Sequence, residues 1–234
     1  MNDITEGLRG AVMLILSWDS DVVEIAARSL AISGIATLIA TAIGVPFGAW
    51  LAVKRFRLRR ATIALLNAMM ALPPVSVGLI VYLIFSRSGP LGALGLLFTP
   101  AVMIVAQVII VTPLVASIAH QALRDLWAEY HDLLISLDAT RWQRMVTLIV
   151  DGRRALLTAA LAGFGRAIGE VGAIMIVGGN IDHATRVLTT AIALETGKGD
   201  FARALALGII LIVLAIAVNA AVHLLARTER EGRW

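Results

Sequence analysis

The chain has 234 residues, of which 59% are hydrophobic and 15% charged, and it contains no cysteine. Ordinary soluble domains are about 45–50% apolar and about 25% charged, so this composition indicates an integral membrane protein. The lack of cysteine excludes disulfides, cysteine zinc ligands and thiol nucleophiles. The net charge of +4 does not by itself indicate nucleic-acid binding, because basic residues beside apolar spans more often set membrane orientation.

The N-terminal segment, residues 1–24, carries a short apolar run at residues 11–17 with acidic residues on both sides. Seven residues cannot cross a hydrocarbon core of about 30 Å, which needs about 20 residues of helix. We therefore predict that residues 1–24 form an external interfacial segment containing a short amphipathic helix.

Five apolar windows are long enough to cross the membrane. They are Ser29–Val53, Ala61–Ser86, Pro100–Ala119, Ala155–Val177 and Ala204–Ala226. The sequence thus predicts an all-α integral membrane protein of about five transmembrane helices, with one membrane domain at residues 25–226 and a tail at 227–234. Four prolines interrupt these windows and predict packing kinks, because proline removes a helix donor; they are Pro46, Pro73, Pro74 and Pro113.

The distribution of Lys and Arg predicts the orientation. If the connecting segments alternate between two sides, thirteen Lys and Arg residues lie on one side and six on the other. Because cytoplasmic loops carry the excess, the N-terminus is predicted outside and the C-terminus in the cytoplasm, in a multi-pass protein of the cell membrane.

Residues 120–154 form the longest polar segment on the predicted cytoplasmic side. Tyr130, Leu133, Leu134 and Leu137 recur at helical spacing, which predicts an amphipathic helix, and later apolar residues extend its line. Such a helix could be a connector lying on the membrane or a docking element for a cytoplasmic partner.

At this segment the sequence resembles the permease subunits of ATP-binding-cassette (ABC) importers. Their shared motif runs Glu-Ala-Ala, three residues, Gly. Here Asp132-Leu133-Leu134 stands at the first place, Asp138 at the glycine place, and Ala139-Thr140-Arg141 follows. Asp keeps the carboxylate of Glu, and Asp tolerates the positive φ that a glycine turn would require.

The fourth window contains Arg166 and Glu170, the two charges placed deep in any apolar window. Each would cost about 2.5–3.5 kcal/mol at the bilayer centre, so they should face protein or water. They are one helical turn apart and could simply neutralise each other. Alternatively, the arginine could offer its guanidinium to an oxyanion beside a translocation path while the glutamate holds it. Gly165 and Gly169 have the spacing of a tight helix contact.

A second resemblance covers the end of this window and the loop after it. Gly178 and Gly179 could cap the helix, and Asn180 and a Thr-Arg-Val-Leu-Thr-Thr-Ala-Ile run follow. Together with the glycine-rich stretch around Arg166 and Glu170, this pattern resembles the tungstate permease group. Molybdate and sulfate permeases share the Arg-Gly-Glu pattern more loosely.

The resemblance implies a type I ABC-importer permease fold with a cytoplasmic coupling helix and a homodimer of permease subunits. It also implies a cytoplasmic ABC ATPase dimer, coupled through Asp132 to Leu134 and Asp138 to Arg141, and an external oxyanion-binding protein. Arg166, Glu170, Gly178, Gly179 and Asn180 would lie by the path or its gate. The chain lacks a phosphate-binding G-x-x-x-x-G-K-[ST] loop, so a partner would use the ATP. No cofactor, metal or catalytic residue is expected.

Two other classes remain open at this point. An integral-membrane enzyme would need converging titratable groups, and the windows offer few. A secondary carrier also suits broken helices and buried ion pairs, but would need no ATPase.

Overall fold

The computed structural model describes residues 5, 9, 10, 12, 13, 17, 19–54 and 56–231, with side chains described as far as residue 220. Of the predicted amphipathic helix at residues 11–17 only residues 12, 13 and 17 are described, and no side chain of the tail at residues 227–234 is described. The helices run α1 Ser20–Val53, α2 Arg59–Met70, α3 Pro74–Phe85, α4 Pro100–Ser136, α5 Arg141–Asp151, α6 Arg153–Ile168, α7 Gly172–Gly178, α8 Leu188–Lys198 and α9 Phe201–Glu231.

The predicted all-α membrane architecture is confirmed. Among the residues that the structure describes, three helices, α1, α4 and α9, are long and apolar enough to cross a membrane alone. Two bent pairs bring the number to five if each pair is one span: α2 with α3, bent by 95°, and α6 with α7, bent by 59°. All five predicted windows thus contain a span or a broken span, although the second and fourth are not continuous helices.

The prolines act differently from one another. Pro46 and Pro113 lie inside the long helices α1 and α4, which continue through them. Pro73 and Pro74 stand at the 95° break, where Pro74 begins α3. A proline is tolerated at the first position of a helix because the N–H it lacks has no partner there. The second window is therefore interrupted by a helix restart rather than a kink.

The centre of the fold is the pair α1 and α4, which pack along much of their length. Small side chains line this contact, including Ala40, Ala49 and Ala119, each fully buried. Gly48 approaches α4 so closely that a Cβ at this position would lie 2.8 Å from the Ala116 oxygen and from the His120 nitrogen. The two helices can cross at this distance because these residues lack bulky side chains.

A second core joins α3, α4 and α7. Val81, Met103 and Val177 are each almost completely buried there. In contrast, the outer surfaces of α1, α3 and α9 expose large apolar side chains, such as Leu38 at 72% and Ile216 at 63%. Such contiguous apolar surface suits contact with lipid rather than water.

Candidate translocation and coupling sites

Glu170 lies in the break between α6 and α7, not within a continuous helix. Its side chain is buried, with a residue exposure of 4%. One carboxylate oxygen, Oε2, accepts a hydrogen bond of 2.7 Å from Arg166 Nη1, and Oε1 accepts one of 3.2 Å from the Ala173 N–H in the first turn of α7. Glu170 thus neutralises the arginine and also satisfies a backbone donor that the helix start leaves unpaired.

Arg166 is less buried than its partner, with 37% of its side chain exposed. The prediction that these two charges pair within one turn is confirmed. Because a guanidinium carries five N–H donors, a single bond to Glu170 leaves donors that an oxyanion could engage. Glu170 therefore neutralises Arg166, while part of the guanidinium stays accessible to a ligand.

Two polar residues that sequence patterns did not single out support this break. Thr189 Oγ1 on α8 donates a 2.8 Å hydrogen bond to the Glu170 carbonyl. Gln107 on α4 is 1% exposed, and its Nε2 donates to the Ala167 carbonyl at 2.9 Å. An isolated glutamine in an apolar window was the available signal, because a buried amide in a membrane needs a specific partner.

The glycines after α7 shape a tight turn. Gly179 has φ 70°, and its N–H donates to the Met175 carbonyl at 3.1 Å, which confirms the predicted helix cap. A Cβ at Gly179 would lie 2.8 Å from the Phe98 ring. Asn180 follows with φ 50°, and its side-chain oxygen is buried without a hydrogen-bond partner in the described part of the chain.

The five path candidates do not form one cluster. Glu170 precedes α7 and Asn180 follows it, and the seven residues of α7 correspond to about 10 Å of helix. Arg166 and Glu170 therefore form one polar point, and Gly178, Gly179 and Asn180 form a second at the other end of α7.

The expected close contact at Gly165 and Gly169 is not made within the described chain. A Cβ at Gly165 would meet nothing within 4 Å, and one at Gly169 would meet only the Gly165 oxygen of its own helix. The close approach is instead at Gly163, where a Cβ would lie 2.8 Å from Val115. The spacing of the glycines predicted a face of small residues on this helix. The packing of α6 on α4 determines which of these glycines contacts α4.

The predicted amphipathic helix of the coupling segment is divided in two. The third span continues as α4 to Ser136, a turn follows, and α5 begins at Arg141. Asp138 has φ 49° in this turn, so the aspartate occupies the left-handed conformation expected at the glycine place. Thr140 then caps α5: its Oγ1 accepts from the Gln143 N–H, and its own N–H donates to Gln143 Oε1.

The turn exposes most of the residues that the resemblance assigned to coupling. Asp132, Asp138, Thr140 and Arg141 are exposed, Ala139 is half-buried, and Leu134 is buried. Leu133, Leu137 and Trp142 expose 59%, 67% and 71% of their surface. The prediction of one continuous apolar face was wrong, because Met145 and Ile149 pack inward on the main core whereas Leu133, Leu137 and Trp142 are exposed. The exposed set is an apolar patch bordered by charges.

At the opposite end of the bundle, a polar cluster attaches the loop after α7 to the start of α1. Arg28 pairs with Glu24 and donates to the carbonyls of His183 and Arg186 at 2.9 and 3.0 Å. His183 Nδ1 lies 2.9 Å from Glu24 Oε2. The same loop is closed by Arg186, which bonds Asp182 at 2.6 Å.

This cluster predicts a pH-dependent loop. The hydrogen bond to Glu24 and the nearby Asp182 charge raise the pKa of His183 above its usual 6.5. A raised folded-state pKa means that the contribution of His183 is fully present below pH 6.5 and is lost as the pH rises through the folded value. We expect hydrogen exchange in residues 181–187, corrected for intrinsic rates, to be faster at pH 8.5 than at pH 6. His183→Gln should remove the difference, and an equal pH response in both proteins would contradict the assignment.

Comparison with known proteins agrees with this architecture. Residues 44–231 match the family described as binding-protein-dependent transport system inner membrane component. The chain belongs to this family. This binding-protein-dependent transport permease is 39% identical to the tungstate uptake system permease protein TupB of Peptoclostridium acidaminophilum, over 95% of this chain and 98% of that protein. It is 36% identical to the TupB protein of Campylobacter jejuni, over 96% and 94%.

The fold of the permease also matches a solved structure. A chain of the MetNI methionine ABC transporter, described as inward facing, superposes with a TM-score of 0.71 over 86% of this chain and 92% of that chain, at 19% identity. This match confirms the predicted type I fold, and the family match together with the TupB relatives confirms the predicted resemblance to ABC-importer permeases. The protein is a multi-pass inner-membrane translocation component.

Proposed function

We propose that this permease forms the translocation path of an ATP-driven importer for an oxyanion, with tungstate as the principal substrate. The observation that carries the proposal is the 39% identity, over nearly the whole chain, to a protein named as a tungstate uptake permease. A molybdate or sulfate importer is the second candidate, because the Arg166-Gly169-Glu170 pattern resembles those permeases as well.

The proposed assembly contains two copies of this chain, a cytoplasmic ABC ATPase dimer and an external oxyanion-binding protein. The permease itself would hold no cofactor and carry out no catalysis, since ATP would be used by the ATPase. The length of α4 supports a cytoplasmic docking element. Its 37 residues correspond to about 55 Å of helix, whereas the bilayer with its headgroups is about 40–45 Å thick. The end near Ser136 must then project beyond the membrane if α4 spans it.

In the proposed mechanism, closure of the ATPase dimer pushes the segment from Asp132 to Arg141, and α4 carries the displacement to the broken spans. Arg166 and Glu170 would lie beside the path, and Gly178, Gly179 and Asn180 at its outer gate. Glu170 and Gly179 each form a hydrogen bond with α7, and Glu170 also accepts one from Thr189 on α8. A shift of α7 would therefore change the surroundings of both polar points, which supports coupled movement. No bond in the substrate forms or breaks.

Uptake by the reconstituted system tests the function. The permease, its ATPase and its binding protein in vesicles should accumulate tungstate only with ATP inside, and excess molybdate or sulfate should compete less effectively. Accumulation by the permease alone would identify a secondary carrier. More effective competition by molybdate or sulfate would assign the substrate to that ion.

The coupling patch has its own test. We expect Leu133→Ser to weaken ATPase binding about tenfold, because burying an exposed leucine side chain in an interface contributes about 1.5–3 kcal/mol of hydrophobic free energy. Leu58→Ser is a matched control, since Leu58 is exposed to 67% and lies outside the coupling segment. Co-purification and binding titrations measure the difference, and equal binding by both variants would remove Leu133 from the interface.

Cysteine labelling tests the orientation. The chain has no native cysteine, so single cysteines at Thr140 and Asp182 carry no background. An impermeant thiol reagent on whole cells should label position 182 and not position 140; the reverse pattern would invert the topology.

A further inference from the structure

The end of the bundle near the basic loop contains a pocket that is separate from the proposed translocation path and adjoins the coupling segment at Asp132. Its volume is about 400 Å³, and it is lined by Ala52 at the end of α1, Arg59 at the start of α2, and Arg124, Trp127 and His131 on α4. The pocket thus lies between two helices of the membrane domain and combines arginines with apolar walls. We propose that it binds the phosphate headgroup of an anionic membrane lipid.

The arginines of the pocket are only partly compensated. Arg59 Nε donates to the Leu51 carbonyl at 2.8 Å, and no carboxylate pairs with Arg59 among the side chains that the structure describes. Arg124 contacts a single oxygen of Asp125 at 3.0 Å and is more than half exposed. One carboxylate, Asp132, lines the pocket and lies 2.8 Å from His131 Nδ1. The positive charge near Arg59 is therefore not balanced by the described carboxylates, and an anion from outside the chain can bind there.

The sequence around the pocket strengthens this imbalance. Five basic residues occupy the seven positions from Lys54 to Arg60, and no acidic residue occurs between Glu24 and Asp125. Lys54 is directed over the Trp50 ring, with its Nζ 5.0 Å from the ring centroid. Clusters of this kind immediately beside a transmembrane helix attract anionic lipids, and basic pockets between such helices bind their headgroups.

The start of α2 adds to the attraction for an anion. This helix has arginines at its first two positions, no acidic residue in its first turn and no side-chain cap. A helix N-terminus carries partial positive charge, so cations there are unfavourable and a bound anion offsets them. Arg59 belongs both to the pocket lining and to the uncapped start of α2. The charge of the arginines and the partial charge of the helix N-terminus therefore attract an anion to the same place.

The surroundings favour a lipid over a soluble anion. Phe47, Trp50 and Phe56 form a continuous aromatic group, with ring centroids 5.8 and 4.9 Å apart. Tryptophan is enriched where the hydrocarbon meets the headgroups, and Trp50 lies two residues before Ala52 of the pocket lining, which supports a position near headgroup level. Trp127 and Ala128 add an apolar wall suited to the glycerol portion.

Native mass spectrometry of the detergent-solubilised full-length chain tests the proposal. Phosphatidylglycerol should bind more tightly than phosphatidylcholine. Arg124→Gln should weaken phosphatidylglycerol binding about fivefold, and adding Arg59→Gln should weaken it further by a similar factor. Because Arg124 is exposed on the helix surface, its replacement leaves the fold intact even if the Arg59 variant is unstable. Arg87→Gln, an exposed arginine in the loop after α3, is the control and should bind as the unmodified chain does.

Four outcomes would overturn the proposal. Equal affinity for the two lipids would exclude a headgroup site. If Arg87→Gln weakened phosphatidylglycerol binding as much as Arg124→Gln, the loss would come from the change in net charge and not from the pocket. Displacement of phosphatidylglycerol by millimolar inorganic phosphate would assign the pocket to a free anion. If Arg124→Gln left lipid binding unchanged but weakened ATPase binding, the pocket would belong to a protein interface. The measurement is binding alone, so its result is independent of the transported ion.

Discussion

Glu170→Ala is expected to lower the free energy of unfolding by about 2–4 kcal/mol and to abolish uptake. The substitution leaves the Arg166 guanidinium without its carboxylate and leaves the Ala173 N–H at the start of α7 without an acceptor. The cost arises because a partly buried guanidinium and a backbone donor both lose their partner, and an unpaired buried polar group costs about 1–3 kcal/mol. Thermal unfolding in detergent and tungstate uptake in vesicles measure the two effects.

A neutral double variant separates stability from transport. Arg166→Gln with Glu170→Gln removes both charges while keeping side chains that can hydrogen-bond each other and the α7 backbone. If Arg166 engages the transported anion, the double variant should regain most of the stability without regaining uptake. Restored uptake would show that the pair serves only to hold the broken span together.

The second large effect is expected at the crossing of α1 and α4. A Cβ at Gly48 would lie 2.8 Å from backbone atoms of Ala116 and His120, and backbone cannot rotate away as a flexible side chain can. Gly48→Ala should therefore force the helices apart at a cost of about 1–3 kcal/mol. Thermal unfolding of the purified chain in one detergent measures the loss.

Gly34 provides the matched control on the same helix. A Cβ there meets nothing within 4 Å, and alanine favours helix over glycine by about 1 kcal/mol in a helix interior. Gly34→Ala should thus leave the unfolding temperature unchanged or raise it. Helix propensity cannot lower the stability of a Gly→Ala variant, so equal losses in both variants would mean that the close crossing is not the source of the loss at Gly48.

Local chemistry made several features of the candidate sites predictable. The Arg166 and Glu170 pair follows from spacing, since residues four apart on a helix meet. The turn at Asp138 follows from the few residues that accept a positive φ, and the cap at Gly179 follows from the same rule. These features depend on neighbours within one turn of the chain, so no tertiary contact is needed to infer them.

Features that depend on distant segments were not predictable in the same way. Gln107 is a lone polar residue in an apolar window, and only the position of α6 shows that its amide bonds the Ala167 carbonyl. Gly163, rather than Gly165, is covered because α6 turns that side to Val115. The lipid pocket likewise brings together Arg59 and Arg124, which are far apart in the chain.

The sequence by itself determined the membrane class and the five apolar windows, because hydropathy is a local property. Only the tertiary structure decided that the second and fourth windows break. An apolar composition indicates that a segment lies in the membrane, but it does not indicate whether the segment is one continuous helix or a broken one. At Glu170 a partner elsewhere in the fold, Thr189 on α8, satisfies the carbonyl that the broken helix leaves open.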